Sequence, residues 1–321
     1  FQENYLSVGQ NGAPPVQYPY QMQPPVNTGV ASGVDLDGDG KIGGQAGSRE
    51  YGGDAFGYGG FPGQYGFVIL SKHPFDSAAV RTFQKFLWKD MPGARLPDAA
   101  GAPGAGTFYS KAALDVFRLS SKTHIDAPVK IGDVVLHILA SHPTPPAFDG
   151  PEDRNGRRNH DEIRLWADYI AGKADYLADD EGKKGGLAAG ARFVILGDMN
   201  ADPEDGSGVP GAARQMLASP FVAPNAPTST GAAAAAKAQG GPNLSHKTPS
   251  DQDTADFSEG ENAPGNLRID YVLPSKAGLK TVASGVFWPA PGEDGYDLVG
   301  AGFPVVSSDH RLVWIDVAIT K

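Results

Sequence analysis

The stretch Phe193-Val194-Ile195-Leu196-Gly197-Asp198-Met199-Asn200-Ala201-Asp202-Pro203 decides how the chain is read. An apolar run closed by glycine is a buried strand, and the residues that follow put a carboxylate and then an amide at the strand's end. The same arrangement recurs on either side. Val134 to Ala140 runs straight into Ser141-His142-Pro143, and Gly66-Phe67-Val68-Ile69-Leu70 runs into Ser71-Lys72-His73-Pro74. Downstream, Asp270 lies inside the strand Ile269 to Leu273, and Asp309-His310-Arg311 immediately precedes the strand Leu312 to Ala318.

Between these strands, Asn159 to Ile170 reads as the best helix. Ile163, Trp166, Ala167 and Ile170 recur at helical spacing, with Asn159 as N-cap and Asp161 and Glu162 in the first turn. Residues 1–30 read as a short helix followed by extended, Pro-punctuated chain. Residues 31–64 and the Ala-rich stretch 227–242 read as loops. With 43 Gly and 27 Pro, long loops around short strands are expected. There is no internal repeat or clear linker, so residues 1–321 read as a single domain.

A formal net charge of −10 argues against the broad basic footprint of an architectural nucleic-acid binder, though a local cationic site can still hold phosphate. The absence of Cys excludes a disulfide framework, a zinc-thiolate site and a cysteine nucleophile. No apolar run is long enough to span a bilayer. The sequence starts at Phe1 without Met or a signal-like segment, and is read as processed, trimmed or incomplete.

Taken singly, the polar residues at the strand ends have bland explanations. Gly197-Asp198 is an ordinary turn, His142 an ordinary structural histidine, and Asp309-His310 a cap. Asp270 is harder to dismiss, because a carboxylate within an apolar strand is costly unless paired or metal-bound. Jointly, acids, an amide and imidazoles at strand ends can converge on one edge of a layered sheet. Their hard oxygen donors suit magnesium, manganese or calcium better than zinc.

In this order the segments resemble the endonuclease/exonuclease/phosphatase family. Gly197 to Pro203 resembles its G-D-x-N-x-x-P signature, Ser308-Asp309-His310 its S-D-H, and Ile269 to Leu273 its I-D-Y segment. Ser141-His142 resembles its strand-terminal T-H, and Gly66 to Pro74 its hairpin. Phe61–Gly66, Trp88–Ala94, Ser141–Pro146 and Phe148–Gly156 are similar to segments of the family's bacterial secreted members. The resemblance implies an α/β fold, a four-layer sandwich of two packed mixed β-sheets flanked by helices. It implies Asp309 as metal ligand and His310 as the group facing the scissile phosphate, with Asp270 as its partner. Asp198 would be general base or a further metal ligand, Asn200 would orient phosphate or nucleophile, and His142 would be a second imidazole or general acid. The family also uses an Asn and a metal-binding Glu on its first strands. Gln2-Glu3 matches that pair only superficially, so the chain is expected to lack the first strands of the domain.

Asp35-Leu36-Asp37-Gly38-Asp39-Gly40-Lys41-Ile42 is a second constellation. Asp35, Asp37 and Asp39 at positions one, three and five, the glycine at six and Lys41 at seven match the first part of a calcium loop. Ala46 stands where the bidentate Glu would be, leaving a solvated acidic turn as the alternative. Arg154, Arg157 and Arg158 are either a solvated patch or a clamp on phosphate. The resulting expectation is a secreted or periplasmic, monomeric phosphatase or phosphodiesterase using in-line water attack. Mg2+ or Mn2+ (or Ca2+) would serve the active site and Ca2+ the structural loop. An extracellular nuclease, with nucleic acid as substrate, and a catalytically silent, calcium-stabilised binding protein are the alternatives.

Overall fold

The computed structural model describes residues 1–99, 104, 106–260, 262–301 and 304–320. Its strands are β1 (Tyr20–Met22), β2 (Ile69–Ser71), β3 (Arg81–Thr82), β4 (His124–Ile131), β5 (Val134–Ser141), β6 (Phe193–Asp198), β7 (Asp270–Pro274), β8 (Leu279–Phe287) and β9 (Leu312–Ile319). The helices are α1 (Arg49–Gly53), α2 (Lys111–Leu114), α3 (Arg154–Ile170), α4 (Arg214–Leu217), α5 (Thr230–Gln239) and α6 (Tyr296–Val299). A central five-stranded sheet has the order β3-β4-β5-β6-β7. Its β5–β6 pair is parallel and the others antiparallel. The parallel pair requires a crossover, and α3 supplies it.

Alternation along each strand sorts the side chains between two layers. Leu139, Phe193, Ile195, Tyr271 and Leu273 face α3 and form the main core with Ile163, Leu165, Trp166 and Tyr169. The intervening residues Leu136, Ile138, Val194, Leu196 and Val272 face the other way and pack with Leu279 and Val317 of the β8–β9 ribbon. Met22 and Ile69 of the β1–β2 ribbon pack on Ile125, Ala127 and Ala140. The α/β architecture with its central mixed sheet is the expected one. Over the second face lie two separate antiparallel ribbons, where the resemblance implies a second mixed sheet. An apolar groove of about 580 Å³ runs across this face, lined by Ile69, Ile138, Ala140 and Leu196 and ending at His142 and Asp198.

Several local expectations are corrected. Helix α3 begins at Arg154, with Asp153 as N-cap in left-handed geometry (φ 53°). Asn159 is therefore interior rather than the cap, and Asp161 and Glu162 are fully buried. The Ala-rich stretch is not a loop. Ser229 caps α5 by accepting the Ala232 N–H, alanine favours the helix, and Ala232 packs on Val286 and Trp288. Of Gly66–Leu70 only Ile69 and Leu70 enter a strand, and they are half-buried. Strand β4 was not apparent because Pro128 interrupts it. β3 pairs only with Ile125 and Asp126, so Pro128 lies beyond that ladder, where proline is tolerated.

Candidate active site

Asp198 and Asp270 are direct cross-strand partners in the β6–β7 register. The alternation that turns Val194, Leu196 and Val272 toward the ribbons carries both carboxylates to that same face. His142 continues the Leu136-Ile138-Ala140 side of β5 past the strand end. His310 enters from the turn before β9, held by the Asp256 N–H donating to the Asp309 carbonyl.

The imidazole of His310 sits between the two acids. Its Nδ1 is 2.9 Å from Asp270 Oδ2 and its Nε2 3.9 Å from Asp198 Oδ2. Asp198 Oδ2 is also 3.2 Å from His142 Nε2. Asn200, in left-handed backbone at φ 50°, donates its N–H to Asp198 Oδ1 at 2.8 Å. Its side-chain amide donates to Asp198 Oδ2 and to the Pro143 carbonyl. Thr254 Oγ1 donates to Asp270 Oδ2 at 2.9 Å and accepts the Ile269 and Asp270 N–H groups. The structure thus brings His142, Asp198, Asn200, Asp270 and His310 together.

The charges differ in instructive ways. Burial opposes a proton on His310, but the Asp270 hydrogen bond and the charges of Asp270 and Asp198 outweigh it and push the ring up to about 9. His142 is driven the other way, first by burial and then by the Lys122 ammonium, against the pull of Asp198. The site therefore holds one cationic and one neutral imidazole near neutrality. Burial works against ionised Asp198, yet the His142 hydrogen bond and both imidazoles keep it below the usual carboxylate range. Burial and the Asp198 charge push Asp270 up, while the His310 bond lowers it. We place the proton on the ring, because Thr254 donates to the same carboxylate and favours its charged form.

Carboxylate oxygens of Asp198 and Asp270 and a ring nitrogen of His310 lie within 4.8 Å of one another. Two hard carboxylates fit a divalent metal that retains water ligands. Asp309, half-buried, is outside that cluster. Glu3 is exposed on the turn Gln2–Leu6 and is also outside it.

The three arginines are engaged by other partners. Arg158 does not clamp phosphate. It is buried, donates to the carbonyls of Leu119, Phe56 and Arg118, and stacks on Phe117. Arg154 pairs with Glu152 and lies over Phe108, and Arg157 points to the Leu96 carbonyl. Trp88 is a core residue bonded to Asp161. The Asp35–Ile42 segment, expected as a calcium loop, forms a turn closed by its own carboxylates. Asp35 accepts the Gly38 and Gly40 N–H groups, Asp39 accepts that of Lys41, and Asp35, Asp37 and Asp39 can offer one oxygen each to a shared point. Buried Asp54 accepts the Leu36 and Gly43 N–H groups, bracketing the loop. Sequence reasoning missed Thr254, whose hydroxyl gives no signal without the fold, and buried Lys122, which donates to the Pro143 carbonyl at 3.2 Å.

The sequence profile of the Endonuclease/Exonuclease/phosphatase family matches residues 1–310. The chain belongs to this family. Among solved structures it is similar to an endonuclease/exonuclease/phosphatase from Beutenbergia cavernae (16% identity, 79% of this chain and 48% of that one, TM-score 0.43). It is also similar to sphingomyelinase C from Streptomyces griseocarneus (14%, 81% and 68%, TM-score 0.35). A third is a beta toxin variant from Staphylococcus aureus with bound magnesium ions (12%, 79% and 67%, TM-score 0.37). The chain thus spans about half the length of the first of these and about two thirds of the others. A comparison with curated proteins found no match. The family assignment rests on the sequence match, not on these structures. Among the described residues no helix is long and apolar enough to cross a membrane.

Proposed function

We propose that this chain hydrolyses phosphoester bonds with a divalent metal, as a secreted or periplasmic phosphatase or phosphodiesterase. The observation that carries the reading is His310, made cationic by Asp270 and set beside the anionic Asp198 on one sheet edge. A cationic imidazole there can donate Nε2–H to a phosphoryl oxygen and stabilise charge as it develops. Asp198, held anionic, can accept a proton from attacking water, and the Asn200 amide fixes that carboxylate's orientation. Neutral His142 donates Nε2–H to Asp198, which leaves its Nδ1 as a proton acceptor. Mg2+ or Mn2+, when bound, would be held by the carboxylates of Asp198 and Asp270 and would supply Lewis-acid polarisation of the phosphoryl oxygen. Assays on bis-p-nitrophenyl phosphate, p-nitrophenyl phosphate and plasmid DNA test this. Turnover of at least one, abolished by EDTA and restored by Mg2+ or Mn2+, is expected. Inertness toward all three, or turnover indifferent to EDTA, refutes it, and the DNA arm decides between phosphodiesterase and nuclease.

The Asp35–Lys41 loop is proposed as a structural calcium site. Burial and the neighbouring charges of Asp39, Asp54 and Asp35 push Asp37 up, although the Asp39 N–H opposes them. A cation would relieve that repulsion. Binding to the folded state alone stabilises by about 2.7 kcal/mol at a hundredfold excess over Kd. Calcium should therefore raise Tm, and Asp37→Ala should remove most of the rise. An equal rise in the variant would show that calcium acts elsewhere.

A further inference from the structure

Two segments carry the proposed chemistry: the turn His142–Thr144 after β5 and the turn Asp198–Asn200 after β6. They are adjacent because β5 and β6 pair, but the ladder ends at Ala140 and Leu196. Beyond it something else must set their spacing. On the far side of the sheet, Asn159 of α3 is completely buried. Its side-chain amide donates to the Thr144 carbonyl at 2.8 Å and to the Met199 carbonyl at 2.9 Å. One NH2 group thus spans both turns. The same residue leaves its own Oδ1 buried and without a partner. That is a cost a fold rarely carries without a reason.

Glu162, one turn further along α3 and also fully buried, continues the arrangement. Its two carboxylate oxygens accept the Ser121 N–H at 2.6 Å and the Thr144 N–H at 2.7 Å. Lys122 then donates to the Pro143 carbonyl, the acceptor also used by the Asn200 amide. Ser121 Oγ donates to the His142 carbonyl. Backbone groups of His142, Pro143 and Thr144 are therefore each held by a buried side chain, and the Met199 carbonyl is tied to the same helix. Inside the protein Glu162 sits among the charges of Arg158 and, more weakly, Lys122.

We propose that Asn159, backed by Glu162 and Lys122, is a positioning residue that fixes the distance between the His142 turn and the Asp198–Asn200 turn. The inference rests on the phosphoesterase reading for its kinetic consequence, but its geometric content does not. Asn159 touches no substrate; it acts through the backbone of both turns. Displacing reacting groups by about 1 Å typically costs on the order of 10² in rate.

The test uses the full chain carrying Asn159→Ala, with Glu162→Gln as a second variant. The glutamine keeps the shape but can accept only one of the two N–H groups. Kinetics at a temperature well below Tm are paired with imidazole 1H–15N spectra of metal-free protein. The expected result for Asn159→Ala is a fall in kcat on the order of 10²-fold with KM changed by less than about threefold, and displaced His142 ring resonances. A lowered Tm with kcat per folded molecule and His142 resonances unchanged overturns the proposal, because Asn159 would then serve the fold alone. Should Asn159→Ala not fold, Glu162→Gln decides by the same two readouts. If the wild type turns over no phosphoester, the functional reading falls, while the spectra still decide whether Asn159 sets the turn.

Discussion

His310→Ala should lower kcat by about 10²–10³, the usual cost of deleting one preorganised donor to developing charge. KM should change less than kcat, since the bond strengthens as charge builds on the phosphoryl oxygens. Asp270→Asn should show a milder loss, because the ring remains but loses the carboxylate that orients it and keeps it cationic. The double variant should lose much less than the product of the two, as the pair acts as a unit. The cation is present below about pH 9, so wild-type turnover should fall as pH rises through that value, and the His310→Ala residue of activity should lack this step. Near-normal kcat in His310→Ala would remove the ring from the proposed chemistry.

Trp166→Ala should be the most damaging core substitution, at about 3–5 kcal/mol. The indole is fully buried, meets Phe83 and Tyr169 edge-on, and lies 5.1 Å from the His124 ring. Its Nε1 donates to Ser141 Oγ at 2.9 Å. Truncation thus opens a cavity and also removes a donor from the Ser141 hydroxyl, directly under the start of the His142 turn, leaving it only the Met199 sulfur. Trp166→Phe should lose less, since most of the volume stays. Urea unfolding measures both, as shifts in midpoint at constant m. A loss under about 1 kcal/mol for the alanine variant would mean that the core recloses around the gap.

The face that carries the candidate site is legible because a strand advertises its faces with period two. Leu136, Ile138 and Ala140 announce the side on which His142 emerges, as Val194 and Leu196 do for Asp198. The motif order around Asp198, Asp270 and His310 supplied the rest. What was not legible depends on partners distant in sequence. Asn159 looks like a cap and Glu162 like a first-turn acid until the helix is seen to begin at Arg154. Arg158 has the chemistry of a phosphate clamp and spends it on three carbonyls. The five-alanine run of α5 reads as loop in the sequence. Its helix needs the Ser229 cap and the surface of Trp288, neither visible as periodicity.

The facing positions of Asp198 and Asp270 also bear on how this protein could be improved. Two acids opposite each other across strands repel, so the register that makes the site weakens the ladder carrying it. A search for hardier variants would find Asn or Ser at Asp270 early, because burial and the Asp198 charge oppose its ionised form, and on the proposed chemistry those variants would be tougher and slower. Selection for heat tolerance alone would therefore erode activity first. Shelf life and turnover have to be screened together here, and gains in robustness sought at a distance, in α5 or the β8–β9 ribbon.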